Sequence, residues 1–307
     1  MSVFCSVANV PLFLKALSVL VISKDGFATV IFTPDAMILH VGGKNESMTA
    51  TAVLPRAVFA DYSVSEVRFA THIPTLIDAV TLGSVFATGV SGTPLTLSYS
   101  PAHCKLVVQT GKDGESGRSV QSKLNTKPTS DSLLDLHFRD YLMDVQASLR
   151  GDVIREAIND IGAAQCVETT LTISPTDGVI LKGTGSPYGE VEIHLERNGE
   201  AMFSVEGTKR SSTRVHTEHL SLACRAGKST VRGKTSFGGA AGRDDYLFNT
   251  AAGAAPAGTT SFGSGFERVT LQINEQKQLS VIHSQRDNDE KVVVSVVVLP
   301  LFDFDSI

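Results

Sequence analysis

The sequence predicts an α+β fold of two similar domains dominated by antiparallel sheet, and three observations predict it. The chain repeats itself at an offset of 142 residues, since Asp35-Ala36-Met37-Ile38-Leu39 returns as Asp177-Gly178-Val179-Ile180-Leu181, each time after an apolar run that ends in a Pro-containing turn. Upstream of each hairpin lies one amphipathic helix pattern at nearly the same offset, carried by Leu14, Leu17 and Val21 in the first copy and by Ile154, Ile158 and Ile161 in the second. Each copy holds two helix patterns against about nine strand patterns, which favours sheet pairing in hairpins over a parallel α/β arrangement. A period this long marks duplication of a whole domain, not a solenoid of short repeats. With 307 residues, 42% hydrophobic and 19% charged, each copy is large enough to bury its own core.

In the first copy a short strand over 3–7 leads to Asn9, which caps a helix with Pro11 in its first turn, where a missing N–H is harmless. Lys15 and Ser18 fall off the apolar face of that helix. Strands over 27–32, 37–41 and 48–54 follow, with turns at Pro34-Asp35 and Gly42-Gly43. An irregular crossing over 56–62 and a strand over 67–71 lead to a second helix from Pro74, where Ile73, Leu76, Ile77 and Val80 share one face. Strands over 95–99, 105–109 and 119–124 complete the copy.

The second copy repeats the plan: a strand over 145–149, a helix over 153–161 closed by Gly162, then strands over 168–173, 178–182 and 191–195. A strand near 214–217, a short helix over 220–225 and strands near 230–235, 269–273, 279–283 and 292–298 finish it. The expected division is 1–125 for the first domain, 126–142 for a connecting linker and 143–307 for the second domain. The linker interleaves Leu133, Leu134, Leu136, Phe138 and Tyr141 with Asp135 and Asp140, a composition suited to a tether pinned on the domain surface, to a docking strip for a partner, or to both. Residues 237–265 hold seven Gly and seven Ala, too little apolar surface to offset ordering entropy, and read as a mobile insertion between strands. A partner-binding loop anchored by Tyr246, Leu247 and Phe248 is the functional alternative there.

A net charge of -5 gives the chain as a whole no basic signature for nucleic acid, so any contact with DNA must use a local patch. Cys5, Cys104, Cys166 and Cys224 are scattered, which suits reduced, buried thiols inside a cell. The one close histidine pair, His216 and His219, lacks cysteine partners and reads as a polar strand end, not a zinc site. The apolar run over 10–22 is interrupted by Lys15 and has no basic residue before it, unlike a signal peptide. No run approaches the roughly 20 apolar residues of a membrane span, and none is expected.

The copies joined by an acidic, apolar linker resemble the sliding-clamp fold of proliferating cell nuclear antigen, most closely at Gly178-Val179-Ile180-Leu181-Lys182-Gly183-Thr184-Gly185 running through Gly189 into Val191-Glu192-Ile193-His194-Leu195. Within the clamp superfamily the chain is similar to the Rad-one subunits of the heterotrimeric checkpoint clamp, the 9-1-1 ring. Four places carry that similarity: Phe13-Leu14-Lys15-Ala16-Leu17, Lys123-Leu124-Asn125-Thr126, Leu133-Leu134-Asp135-Leu136-His137-Phe138, and Gln278-Leu279-Ser280-Val281 with the turn at 286–290. The resemblance implies a two-domain sliding-clamp fold without bond-making chemistry or a cofactor, acting in the nucleus. It further implies a ring with two related clamp subunits, a clamp loader, double-stranded DNA through the hole, and repair and checkpoint proteins as partners.

Ring closure in that family pairs the last strand of the first domain, here Ser119, Val120 and Leu124, with a strand of the neighbour's second domain, here Val191, Ile193 and Leu195. DNA would face the helices, where the available cations are Lys15, Arg150, Arg155, Arg225 and Lys228. These are sparse and opposed by Asp78, Glu156 and Asp160, and each serves equally well as an ordinary solvated helix charge. Leu133, Leu134, Leu136 and Phe138 are the expected docking residues for partners.

Enzymatic alternatives find less in the sequence. Gly183-x-Gly185-x-x-x-Gly189 lies between two strands with no helix to receive a phosphate, and reads as a hairpin turn. Neither a nucleophile elbow nor a His-Glu-x-x-His motif occurs, and Asp303 with Asp305 reads as a charged tail. A homotrimeric replicative clamp is the second reading and would need more inward Lys and Arg. A metal-dependent 3'-to-5' exonuclease is the third; it needs several converging carboxylates, and none can be assembled from these strands.

Overall fold

Asn9 ends the first strand and starts the first helix: its Oδ1 accepts the Leu12 N–H at 3.0 Å, and Pro11 occupies the first turn. The same local logic runs through a computed structural model that describes residues 3–22, 26–42, 47–87, 95–110, 119–129, 133–225, 265–285 and 292–301. The N-terminal half runs β1 (Val3–Val7), α1 (Val10–Val19), β2 (Phe27–Phe32), β3 (Ala36–Gly42), β4 (Met48–Pro55), a 3-10 turn (Arg56–Val58), β5 (Phe59–Ser63), β6 (Val67–His72), α2 (Ile73–Ala87), β7 (Leu95–Ser100), β8 (Lys105–Thr110) and β9 (Val120–Asn125). After β10 (Lys127–Pro128) and a 3-10 turn (Phe138–Asp140), the C-terminal half opens with β11 (Met143–Arg150), α3 (Gly151–Ala163), β12 (Glu168–Ser174), β13 (Gly178–Ser186) and β14 (Gly189–Glu196). It continues with β15 (Met202–Gly207), β16 (Ser211–His216), α4 (Thr217–Cys224), β17 (Arg268–Asn274), β18 (Leu279–Ser284) and β19 (Val293–Val298).

The sequence repeat becomes a repeat of pairing. In the N-terminal half the strands order as β5-β1-β7-β8-β9 and β6-β2-β3-β4, and in the C-terminal half as β15-β11-β17-β18-β19 and β16-β12-β13-β14. All pairs are antiparallel, as the hairpin signals predict. One further pairing fuses the halves. β19 lies antiparallel to β4, with Val294 opposite Ala52, Val296 opposite Ala50 and Val298 opposite Met48, so that ten strands form one sheet ending at β10 and β15. On its buried face small Ala50 and Ala52 meet Val296 and Val294, and α1 packs over both strands. The helices touch in the sequence α2-α1-α4-α3, a single row that bridges the seam through α1 and α4.

Elsewhere the core follows the pleat. Alternate residues of β7 and β8 are buried, and Tyr99 stacks on Phe69 with ring centroids 4.0 Å apart, tying β7 to β6 across the N-terminal core. Gly178 is required where the turn from β12 opens β13 beside the end of β14: its φ is +100° and a Cβ would lie 2.2 Å from the Leu195 carbonyl oxygen.

Three expectations are corrected. The helix α3 does not close at Gly162 but runs to Ala163; the left-handed residue is Gln165, whose N–H returns to the Gly162 carbonyl at 3.0 Å. The crossing over 56–62 is a 3-10 turn followed by β5, and β15 was not expected at all. These two strands are the same element in the two halves, each hydrogen-bonded to the first strand of its half. Neither alternates cleanly, because both lie at a sheet margin where one face is not fully covered. The strand expected near 230–235 and nearly all of the insertion over 237–265 lie outside the described residues.

The seam makes a direct prediction. Ala50→Leu should overpack it and cost about 1–3 kcal/mol, whereas Val53→Thr on the 36% exposed face of the same strand should stay within about 0.5 kcal/mol. Thermal unfolding checks both, and an unchanged melting temperature for Ala50→Leu would show a loosely packed seam.

Candidate functional site

β9 and β14 are the structural counterparts of β19 and β4, but each ends its sheet with one edge unpaired by any described strand. In β14 the side chains of Val191, Ile193 and Leu195 turn toward the protein and are partly buried, while Glu190, Glu192, His194 and Glu196 face solvent. Lys182 holds Glu190 at 2.7 Å and His194 holds Glu192 at 2.7 Å, which fixes the outer face of this edge. In β9 Leu124 is buried, Val120 is half-buried and Ser119, just before the strand, is exposed. The sequence expectation of 119–124 thus falls one residue early, and 191–195 lies inside a longer strand.

The helix row forms the second candidate surface. Lys15, Arg150 and Arg155 do come together: they line a cleft of about 720 Å³ whose other charged residues are Asp152, Glu200 and Glu267. Arg150 makes a two-pronged contact with Asp152, Nε to Oδ1 at 3.1 Å and Nη2 to Oδ2 at 2.5 Å, and Asp152 Oδ1 also accepts the Val153 N–H at 3.0 Å. Hydrogen bonding from Arg150 holds the Asp152 carboxyl below its ordinary range. Arg155 is half-buried and donates from Nη1 to the Phe266 carbonyl at 3.3 Å, a path kept open by Gly265, where a Cβ would lie 2.6 Å from that nitrogen.

Arg225 corrects the expectation of a solvated helix charge. It is the left-handed C-cap of α4, half-buried, and burial lowers its pKa to about 10. Lys228 lies outside the described residues. Along the row the exposed acidic positions are Asp78, Asp152, Glu156, Asp160 and Glu218, against exposed Arg150 and half-buried Lys15 and Arg155. The described helix face is therefore acidic, an outcome foreshadowed in the sequence by the spacing of Asp152, Glu156 and Asp160 on one side of α3.

The linker is pinned to the surface. Lys127 and Pro128 pair with Ala70 and Phe69 on β6, and Leu134 lies over Gly42. Two buried amides then hold its backbone: Gln278 Nε2 donates to the Leu136 carbonyl at 2.8 Å and Asn274 Nδ2 to the Phe138 carbonyl at 3.2 Å. The amides are themselves joined, Asn274 Nδ2 to Gln278 Oε1 at 2.7 Å. Leu133, Leu134, Leu136 and Phe138 are consequently half-buried, and the most exposed apolar residue of the region is Leu142 at 76%. Asp144 supports the same corner: nearly buried, it takes hydrogen bonds from Lys209, Lys277 and Ser211 at 2.8, 2.8 and 3.0 Å. Burial alone would raise its pKa; those three donors outweigh it and bring the group down to about 2.

Among the described residues no group of three or more His, Cys, Asp and Glu is placed to hold a metal ion, and no helix is long and apolar enough to cross a membrane. His216 and His219 meet edge to face at 5.2 Å where β16 passes into α4. The four cysteines are free; Cys5, Cys166 and Cys224 are buried and Cys104 is partly exposed.

Paired sheets, a helix row and a single fused seam define the two-domain sliding-clamp fold. The chain is similar to proliferating cell nuclear antigen from Thermococcus kodakaraensis, with a TM-score of 0.71 at 14% identity over 97% of this chain and 100% of that one. It is equally similar to proliferating cellular nuclear antigen from Entamoeba histolytica, with a TM-score of 0.71 at 10% identity over 98% of this chain and 99% of that one. No curated protein matches in sequence. The chain belongs to the family of repair proteins Rad1, Rec1 and Rad17, whose model matches residues 4–230.

Asp144 gives a pH prediction. Its folded pKa lies below the ordinary value of about 3.9, so its contribution is present above that value and is lost as pH falls from about 4 toward 2. Asp144→Asn should lower stability at neutral pH by about 1–3 kcal/mol and flatten the acid limb of the stability profile in that window. An acid limb identical to wild type would assign the effect to other carboxylates.

Proposed function

We propose that this chain is a non-catalytic subunit of a heterotrimeric, DNA-encircling checkpoint clamp of the 9-1-1 type. In this reading a loader places the ring at damaged DNA in the nucleus, where it serves as a scaffold for checkpoint and repair factors. The observation that carries it is the duplicated seam. β9 and β14 are unpaired copies of the strands that fuse the two halves, so a neighbour of the same fold can pair with each by the geometry already used inside the chain. The two open edges differ, which makes the contact heterologous and favours closure into a ring. The domain division at 1–125, 126–142 and 143–307 follows the same repeat, since β9 and β19 then end equivalent units.

The acidic helix face supports a ring of unlike subunits over a homotrimer. Three copies would surround DNA with Asp78, Asp152, Glu156, Asp160 and Glu218 from each chain, a lining that repels phosphate. Related subunits supply the positive field instead. The linker, its backbone held by Asn274 and Gln278, offers Leu133, Leu134, Leu136 and Phe138 for partner docking.

The chain alone is expected to be mainly monomeric at micromolar concentration in light scattering, and to reach the mass of a three-chain ring only with two related clamp subunits. A stable homotrimer would contradict this. Proline replacements at 191 and 193 should release one neighbour and those at 120 and 124 the other, because proline removes a ladder donor. Loss of both neighbours from one site would contradict the assigned edges.

A further inference from the structure

An arginine at the start of a helix facing DNA is well placed to take a phosphate, because guanidinium and phosphate pair in the same two-pronged way that guanidinium and carboxylate do. In this chain the place is already taken. Asp152 presents both carboxylate oxygens to Arg150 and accepts the Val153 N–H in the first turn of α3 besides, at 3.1, 2.5 and 3.0 Å. Arg150 and Asp152 are 46% and 58% exposed, so the pair sits where a phosphate could reach it and must compete with it. The surroundings reinforce the carboxylate: Glu200 and Glu267 line the same cleft, Arg155 is directed inward to the Phe266 carbonyl, and Glu156 and Asp160 follow on the exposed side of α3.

We propose that Asp152 acts as an internal competitor for DNA phosphate, withholding Arg150 and so limiting the grip of this subunit on the duplex. The proposal rests on the ring reading above and adds a residue with a defined role to it. A clamp that must slide gains from weak contacts, and a carboxylate held two residues from the arginine makes the restraint a fixed property of the α3 terminus. Asp152→Asn is the decisive variant because the asparagine Oδ1 still accepts the Val153 N–H while the charge that binds Arg150 is gone.

The test uses full-length rings assembled with the two related subunits on double-stranded DNA with blocked ends, followed across a salt series. Asp152→Asn should lengthen retention and steepen the slope of log K against log salt by roughly one unit, the signature of one added phosphate contact. Glu156→Gln makes the same change in charge on the same helix without an arginine to release, and should move the slope much less. Arg150→Ala with Asp152→Asn should return to the wild-type slope. Equal effects of Asp152→Asn and Glu156→Gln, or a double variant that keeps the gain, would overturn the proposal by showing that net charge alone is at work. No change with Asp152→Asn in a ring that holds DNA would also overturn it. A wild-type ring with no hold on DNA at all would overturn the ring reading, and this proposal with it. Unchanged melting temperature and ring mass for Asp152→Asn secure the comparison.

Discussion

The antiparallel contact between β4 and β19 is the constraint on which the rest of the molecule depends. Without it each half would end one of its sheets at an open strand, β4 or β19; with it those two edges are consumed and a ten-stranded sheet runs through the chain. The contact works because valines on β19 face alanines on β4, leaving room for α1 to lie across both strands, and because α1 and α4 touch over the seam. Of the sheet ends that remain, β9 and β14 are the equivalents of the two consumed. A chain built this way carries, in its own interior, the pattern of the contact it can make with a neighbour.

The electrostatics follow from the same geometry. Joining the halves sets four helices in one row, and the charges on that row belong to the surface a ring would turn inward. Here the row is acidic, and the arginines that a count of basic residues suggests for it are engaged by the chain itself. Arg150 is paired with Asp152, Arg155 reaches a backbone carbonyl, and half-buried Arg225 caps α4. Polar groups on the other side of the molecule have a different task. The Asn274 and Gln278 amides satisfy linker carbonyls, while Asp144 ties β11 to the turn that carries Lys277.

Much of this was legible in the sequence. The offset of Asp35 and Asp177, the helix stripes of Leu14 and Ile154, and the buried runs of β19 reflect local periodicity, which survives folding because one face of each element is covered. What escaped was set by tertiary context. β5 and β15 lack alternation because they lie at sheet margins, and Gly162 stays helical because the chain finds its left-handed exit at Gln165 instead. The fate of Arg225 was invisible for a similar reason: one-dimensional spacing places a residue at a helix end but does not say whether neighbouring elements close over it. The pairing of Arg150 with Asp152 was readable from their separation of two residues across a helix start, but Asp152 was not among the acidic residues weighed against the helix cations.

Amide hydrogen exchange on the free chain and on the chain assembled with the two related clamp subunits of the proposed ring tests the central claim most directly. Protection should rise in 120–125 and 189–196 on assembly, the two segments answering to different subunits, while 293–298 is protected in both states because its partner strand is internal. New protection confined to other segments, with both strands still exchanging as in the free chain, would contradict the claim that the open edges repeat the seam.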